Sequence, residues 1–362
     1  MIGHEFYMNV AIQNAMATKG QTDPNPLVGA VIVNENRIVG IGTHLKAGEP
    51  HAEIHALKMA GEYAKGSTVY VTLEPCSHYG RTGPCAEALV KAGVKRVVVA
   101  TLDPNPLVAG RGIKILEDSG IEVLVGVCEK ESRQMNEVFN KYIVTKKPFV
   151  ILKSAITLDG KIATATSHSK WITSEEARKD VHQLRHETGA ILVGVNTVIK
   201  DNPELTTRIE GGRHPVRVIL DSQLRIPLES KVIADSLAPT WIFTSQQYLE
   251  TKKQQLEQQN IKVFVTSGTD RVNLEDVLFT LGEHSISSLL IEGGGEVTAS
   301  FIEQKLIDKL VLYIAPKIAG GRQAPTFVEG IGVEKMSDAL EFSNIEFNQL
   351  GKDYKFVGYP NY

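Results

Sequence analysis

Along the N-terminal part of the chain, short apolar runs with strand-like spacing alternate with segments of helical spacing. The opening stretch predicts an amphipathic helix with Phe6, Met8, Val10, Ala11 and Ala15 on or near one face. Residues 27–33 and 37–42 are apolar runs divided by the turn-prone Asn34-Glu35-Asn36, which predicts a hairpin. A helix over 51–64, introduced by Pro50, is followed by a β-rich run at 68–73 that Pro75 stops. Pro84 opens another helix that ends at Gly93, and the continuous apolar run 96–100 predicts a strand covered on both faces. Residues 112–119 and 121–127 read as one more helix and strand, and a helix then reaches about Tyr142. The polar run Thr145-Lys146-Lys147-Pro148 breaks the alternation and predicts a domain boundary, giving domains 1–146 and 147–362. Beyond it, strands are expected at 149–155, 190–195, 216–220, 240–244, 261–265, 287–291 and 309–315. Helices are expected at 174–186, 247–259, 273–282 and 296–304. Alternation of this kind predicts an α/β architecture with a largely parallel sheet.

With 362 residues, 42% hydrophobic and 22% charged, the chain has material for two cores. Its formal net charge of -3 speaks against a broad phosphate-tracking surface, so no nucleic-acid partner is expected. A local basic pocket for a single phosphate stays compatible. No apolar run approaches the ~18 residues of a membrane span, and no membrane partner is expected. The opening residues lack the basic and apolar regions of a signal peptide. Three cysteines in a chain of this size fit a reducing compartment better than a disulfide framework, and a cytoplasmic location is expected.

Candidate chemistry centres on His51-Ala52-Glu53 and Glu74-Pro75-Cys76, with Cys85 nine positions further on. One imidazole and two thiolates are the donor set of a catalytic zinc with an open position, one ion per chain. A water in that position has its pKa lowered from about 15.7 toward ~7. Glu53 falls in the first helical turn, where it can carry a proton between that water, a ring nitrogen and a leaving amine. His51 and Cys85 fall at predicted helix starts, where the positive end of the dipole favours thiolate and hydroxide. Singly, each residue has a plainer reading: a structural histidine, two buried thiols. In the order His-x-Glu then Pro-Cys they match the zinc deaminase signature, except that eight residues, Ser77 to Pro84, separate the cysteines in place of two. Cys128, outside the motif, is expected to be a buried apolar filler.

That long insert is informative. His51-Ala-Glu53 with the run from Glu74 to Cys85 closely resembles the deaminase half of the bifunctional riboflavin-biosynthesis deaminase–reductases. Asn25-Pro-Leu-Val-Gly29-Ala30-Val31 and Asp103-Pro-Asn105-Pro are also similar to that family, and the resemblance extends over essentially the whole chain. It implies a cytidine-deaminase-like three-layer α/β/α domain followed by a dihydrofolate-reductase-like α/β domain. The implied substrate is a phosphorylated diaminopyrimidinone carrying a ribosylamino group. Asn25 and His44 match positions that hold substrate in related deaminases. His78, Arg81, Asn105 and Arg111 are polar loop residues suited to ribose and phosphate, although each reads equally as a solvated loop residue.

In the second domain, the run Leu289-Leu290-Ile291-Glu292-Gly293-Gly294-Gly295-Glu296 leads from a strand into a helix. Bare backbone N–H groups in such a turn can cradle a pyrophosphate, but a plain tight turn reads the same way, and the spaced Gly-x-Gly-x-x-Gly is lacking. Residues 153–163, Trp171-Ile-Thr173-Ser174, 193–197 and 201–208 resemble motifs of the family's reductase half. The resemblance implies NADPH-dependent reduction of a ribosyl side chain to ribityl, and self-association of the chain. Ala155, Trp171, Thr197, Asp201, Ser222 and the turn with Gly294, Gly295 and Glu296 match cofactor-contacting positions. Ser169, Arg185, Leu205, Arg208 and Glu292 match substrate-contacting ones, with the two arginines suited to a phosphate. Asp201 or Lys153 is expected to supply the proton that accompanies hydride transfer. The plainer readings are a core aromatic for Trp171 and a solvated helix face for Arg185. His182 and His186, four apart on one helix with no third ligand in view, read as surface residues.

Two rivals remain from the sequence. One is a nucleotide or tRNA-base zinc deaminase with an unrelated appended domain; the cysteine insert and the motif-rich second domain count against it. The other is a nucleic-acid-binding module with structural zinc. A closed structural site takes four protein ligands, and only three are offered here.

Overall fold

The computed structural model describes residues 3–79, 83–105 and 108–362. Its first unit, Met1–Lys146, is organised by the two-residue repeat of its strands. β1 (Gly29–Asn34), β2 (Arg37–Thr43), β3 (Thr68–Val71), β4 (Arg96–Val99) and β5 (Glu122–Val125) form one sheet in the order β2-β1-β3-β4-β5. β1 runs antiparallel to β2 and β3, whereas β3, β4 and β5 are mutually parallel. Ala30, Ile32, Val69, Val71, Val97 and Val99 point to one face and pack with Ala56, Ala86 and Leu89 of the helices Ala52–Ala60 and Cys85–Ala92. Their neighbours Val31, Val33, Tyr70 and Val98 point to the other face, against the helix His4–Met16. The result is three layers, helix on sheet on helix, and each of the buried valines, isoleucines and leucines contributes about 1.5–3 kcal/mol.

The helix that carries the candidate metal ligand lies directly on the backbone of β2. A Cβ at Gly42 would stand 2.1 Å from the Ala52 carbonyl oxygen, and one at Gly40 2.3 Å from that of Ala56. Only glycine allows this approach, which fixes the height of His51 and Glu53 above the sheet edge.

The second unit, Lys147–Tyr362, has nine strands. They are β6 (Phe149–Thr157), β7 (Ala190–Gly194), β8 (Val216–Leu220), β9 (Thr240–Thr244), β10 (Lys262–Val265), β11 (Ser288–Ile291), β12 (Lys309–Ala315), β13 (Glu341–Leu350) and β14 (Asp353–Asn361). Their order is β10-β9-β8-β7-β11-β6-β12-β14-β13. The first seven in that order are parallel, and β14 and β13 add an antiparallel edge. Val150, Leu152, Leu192, Val218 and Phe243 pack on one face with Val277, Leu281 and Phe301, while Ile191, Val193, Ile219 and Ile242 face a separate core on the other.

Several expectations need correction. The opening helix buries Tyr7, Met8, Ala11, Ile12 and Ala15, whereas Phe6 is exposed. Two residues are 200° around a helix, so Phe6 cannot share a face with Met8. The helix expected to reach Tyr142 is two helices, Glu129–Met135 and Glu137–Thr145, divided at Asn136. Cys128 is half-buried at a φ of 57°, ahead of the first of them. The helices Val195–Asp201 and Lys231–Ala234 and the strands β13 and β14 had no counterpart in the hydrophobic pattern.

Candidate functional site

Three segments deliver the soft donors of the first unit. His51 caps the helix Ala52–Ala60, Cys76 follows β3, and Cys85 opens the helix Cys85–Ala92. His51 Nδ1 is 3.5 Å from Cys76 Sγ and 3.3 Å from Cys85 Sγ, and all three donor atoms lie within 4.8 Å of one another. Corners of a tetrahedron with bonds of about 2.0–2.3 Å are about 3.5 Å apart, so the cluster has the size of a zinc site. The backbone N–H of Cys85 donates to Cys76 Sγ over 3.3 Å. The helix start thus favours a thiolate as expected, but the sulfur it serves is Cys76. A hydrogen bond from Cys85, with His51 adding to it, holds the Cys76 thiol down to about 4, and the same coupling and burial push Cys85 up.

Glu53 is 3% exposed, and its Oε2 has no hydrogen-bond partner among the described residues. Burial pushes its carboxyl up to about 7. His44 Nδ1 approaches the Pro50 carbonyl at 3.3 Å, and its Nε2 is 3.1 Å from Asn25 Nδ2. A carbonyl only accepts, so His44 carries its proton on Nδ1 and accepts from the Asn25 amide at Nε2. Burial lowers its pKa, which suits that neutral form. The His44 and His51 rings meet edge to face at 5.4 Å, which brings Asn25 and His44 beside the metal cluster.

The second unit gathers a different set. Glu292, directly after β11, accepts from Arg185 Nε at 2.8 Å and Nη2 at 3.0 Å, and from Lys153 Nζ at 3.2 Å. Arg185 Nη1 also donates to the Thr206 carbonyl at 3.0 Å, which draws the 201–208 loop to the cluster. Burial pushes the Glu292 carboxyl up, but Arg185 and Lys153 outweigh it and hold the group well below the usual carboxylate range. Thr197, Ser222 and the turn Gly294–Glu296 follow the carboxyl ends of β7, β8 and β11, and Ala155 lies in β6 between β11 and β12. These ends line one edge of the parallel strands, the usual ligand edge of an open α/β sheet.

Comparison with known proteins decides the identity. The model of the RibD C-terminal domain matches residues 148–356, and that of the cytidine and deoxycytidylate deaminase zinc-binding region matches residues 1–101. The riboflavin biosynthesis protein RibD of Bacillus amyloliquefaciens is 49% identical over 98% of this chain and 96% of its own length. That of Escherichia coli is 40% identical over 96% and 97%. The chain belongs to the RibD family. Acinetobacter baumannii RibD superposes with a TM-score of 0.89 at 41% identity over 99% of both chains. The Thermotoga maritima diaminohydroxyphosphoribosylaminopyrimidine deaminase/5-amino-6-(5-phosphoribosylamino)uracil reductase gives 0.86 at 36%, over 99% of this chain and 98% of that one. The chain is therefore a bifunctional deaminase–reductase of riboflavin biosynthesis that uses zinc and NADPH and acts on small molecules. Its halves have the expected cytidine-deaminase-like and dihydrofolate-reductase-like folds. Among the described residues, no helix is long and apolar enough to cross a membrane.

Of the other residues singled out from sequence, His78 and Arg111 are exposed and Asn105 is half-buried, while Arg81 lies outside the described residues. Asp201 and Arg208 are exposed, Ser169 is half-buried, and Leu205 is buried at a φ of 54°. Trp171 is not a core aromatic: it is 59% exposed, with the Arg178 guanidinium 4.4 Å from its ring centre. His182 and His186 are not surface residues either. Both are half-buried, and His186 Nδ1 accepts from the Arg213 N–H at 3.0 Å, which closes a loop rather than binding a metal.

Two positioning residues escaped sequence reasoning. Glu74, 5% exposed, accepts the backbone N–H groups of Asp103, Gly110 and Gly112 at 3.2, 2.9 and 2.9 Å and so shapes the loop that holds Asn105 and Arg111. Asn136, 2% exposed, brackets Leu27 by accepting its N–H and donating to its carbonyl, which fixes the segment after Asn25. The only sequence signal for Glu74 was its adjacency to Pro75-Cys76; Asn136 gave none.

Proposed function

We propose that the first unit deaminates 2,5-diamino-6-(5-phosphoribosylamino)pyrimidin-4-one, and that the second reduces the ribosyl side chain of the resulting aminouracil to ribityl. The Glu53 carboxylate carries the reading: it is buried, its Oε2 is unpartnered, and it lies two residues from His51 and beside Cys85. A buried acceptor without a donor costs about 1–3 kcal/mol, and a substrate or water proton removes that cost. His51, Cys76 and Cys85 hold zinc, which when bound supplies the Lewis acidity that makes water nucleophilic near neutral pH. Glu53 takes a proton at Oε2 from the attacking water and delivers it to the ring nitrogen. It then takes the second proton from the adduct's hydroxyl and delivers it to the amine, which leaves as ammonia while the carbonyl forms. Asn25, oriented by His44, holds the substrate, and His78, Asn105 and Arg111 flank its ribose and phosphate.

In the second unit, Ala155, Trp171, Thr197, Asp201, Ser222 and the Gly294–Glu296 turn take NADPH. Ser169, Arg185, Leu205, Arg208 and Glu292 face the substrate. NADPH, when bound, would supply the hydride for the sugar C1′ in its ring-opened, imine-like form. Lys153 is favoured over Asp201 as the accompanying proton donor, because its ammonium is held within the Glu292 cluster while Asp201 is exposed. The chain works in the cytoplasm and self-associates; its three cysteines are all free thiols.

A two-stage assay tests this. Purified enzyme with the diaminopyrimidinone ribotide is followed for ammonia without NADPH, and for NADPH oxidation after its addition. Ammonia first and oxidation second is the expected order. No ammonia from zinc-loaded protein overturns the substrate assignment, and ammonia without later oxidation removes the role of the second unit.

A further inference from the structure

His182 lies on the helix Glu175–Glu187, one turn before Arg185. Its Nδ1 is buried and has no hydrogen-bond partner among the described residues, which leaves it open to a hydrogen bond from or to a ligand. Four charged groups act on this imidazole from four elements. Arg185 is on its own helix, Arg208 on the loop after the helix Val195–Asp201, Lys153 on β6, and Glu292 at the end of β11. Three are cations and one is an anion. Arg185 and Lys153 are both engaged by Glu292, and among the described residues exposed Arg208 pairs with Glu204, 3.6 Å away, a carboxylate it shares with Lys231. The surroundings therefore carry a surplus of positive charge that a dianion would balance.

We infer that His182 is a ligand to the phosphate of the reductase substrate and takes up a proton as that phosphate binds. The inference rests on the phosphorylated substrate proposed above. Before binding, burial and then the neighbouring cations Arg185 and Arg208 hold the imidazole neutral, at about 4. A phosphate ester brings about -1.5 to -2 charge, which reverses the local sign and favours imidazolium donating to a phosphate oxygen. The pKa in the complex is then above that of the free enzyme. The extra affinity is present at low pH and is lost as pH rises through the value in the complex.

The test compares wild-type enzyme with His182→Asn, which keeps a polar group near the Nδ1 position but cannot take a proton. Reductase KM and kcat are measured at pH 6.5 and 8.5 with the aminouracil ribotide and with the aminouracil riboside, which lacks the phosphate. A hydrogen bond to a charged group corresponds to about 10- to 100-fold in affinity. The variant is expected to raise the ribotide KM about tenfold or more at pH 6.5 and less at pH 8.5, with kcat within about twofold. The riboside KM should be the same in both proteins at both pH values. Equal effects on ribotide and riboside, or an unchanged pH dependence of the ribotide KM, overturn the inference. Calorimetric titration of wild-type enzyme with the ribotide in buffers of different ionisation enthalpy needs no variant: proton uptake is expected, and its absence overturns the inference. Wild-type enzyme that oxidises no NADPH with the ribotide overturns the substrate reading instead, so the two failures are distinguishable.

Discussion

Glu74→Gln is a nearly isosteric change that should silence one activity and leave the other intact. The Oε2 of Glu74 accepts two backbone N–H groups, from Asp103 and Gly110, and its Oε1 accepts one from Gly112. A glutamine has one acceptor oxygen, so its best placement keeps the first two bonds and turns an NH2 toward the Gly112 N–H. One charge-assisted bond is lost and two become neutral, and at about 1.5–3 kcal/mol for a charged bond against about 1 for a neutral one the total is about 2.5–7 kcal/mol. Domain stabilities run up to about 15 kcal/mol, so a first unit in the upper part of that range absorbs this and the damage is local, which a native circular dichroism spectrum of the variant checks. Rotation of the loop cannot absorb it: a Cβ at Gly112 would stand 1.9 Å from the Pro75 carbonyl oxygen, so that backbone is packed directly against the residue before Cys76. Ammonia release with the diaminopyrimidinone ribotide should fall at least about tenfold, the change that 1.4 kcal/mol at the reacting centre produces. NADPH oxidation with the aminouracil ribotide should be unchanged and serves as the internal control. Deaminase kcat/KM within twofold of wild type would refute the view that Glu74 positions this loop for catalysis.

Further expectations concern both halves. Glu53→Gln should lower ammonia release about 10²- to 10⁴-fold, the usual contribution of a general acid–base, while metal analysis finds zinc still bound. Removal of zinc by a chelator should abolish ammonia release but leave the circular dichroism of the first unit native, because its two cores are complete without the ligands; loss of structure would contradict that. Asp235→Ala strips the 1% exposed Arg217 guanidinium of its anion, at a cost of about 3–5 kcal/mol. Arg217 also donates to the Glu204 carbonyl, so reductase KM should rise while ammonia release is unaffected. For Glu292→Gln the sign follows from a depressed carboxyl: its stabilisation is full above the ordinary value near 4.5 and fades as pH falls through the lower folded value. The urea midpoint of the variant should therefore lie well below wild type at pH 7, with the gap narrowing as pH falls below about 4.5 and closing only below the folded value, and a constant gap would count against the ion-pair account.

The elements that the hydrophobic pattern revealed are those that bury a face. Val31 and Ile32, or Ile191 and Leu192, serve opposite cores, so their runs are continuously apolar and stand out. β13 is the opposite case, an edge strand with most of its side chains exposed. Its register shifts between Ser343 and Glu346, so Phe342 falls on even numbering and Ile345 and Phe347 on odd. A bulge of that kind breaks the two-residue period that announces a strand. The helix Val195–Asp201 was illegible for a different reason: Val195, Thr197, Val198 and Ile199 are β-branched, and packing of Val195 and Val198 overrides their local preference.

The site divides along a similar line. Zinc demands particular donors, so His51, Cys76 and Cys85 are chemically irreplaceable and their order in the chain betrays them. The ion cluster of the second unit is held by partners 107 and 139 positions apart, and nothing local marks them. Lys153, Arg185 and Glu292 are ordinary charged residues until the sheet order β7-β11-β6 sets β6 and β11 side by side. His182 shows the limit most clearly. Read four residues from His186 it suggested a metal pair or a solvated face, because helical spacing says which residues are neighbours along one helix but not what the helix faces. Only the fold shows that the charges of Arg208, Lys153 and Glu292, from three other segments, act on it. A binding residue whose significance comes from charges gathered around it, rather than from its own chemistry, is legible only once those charges have been brought together.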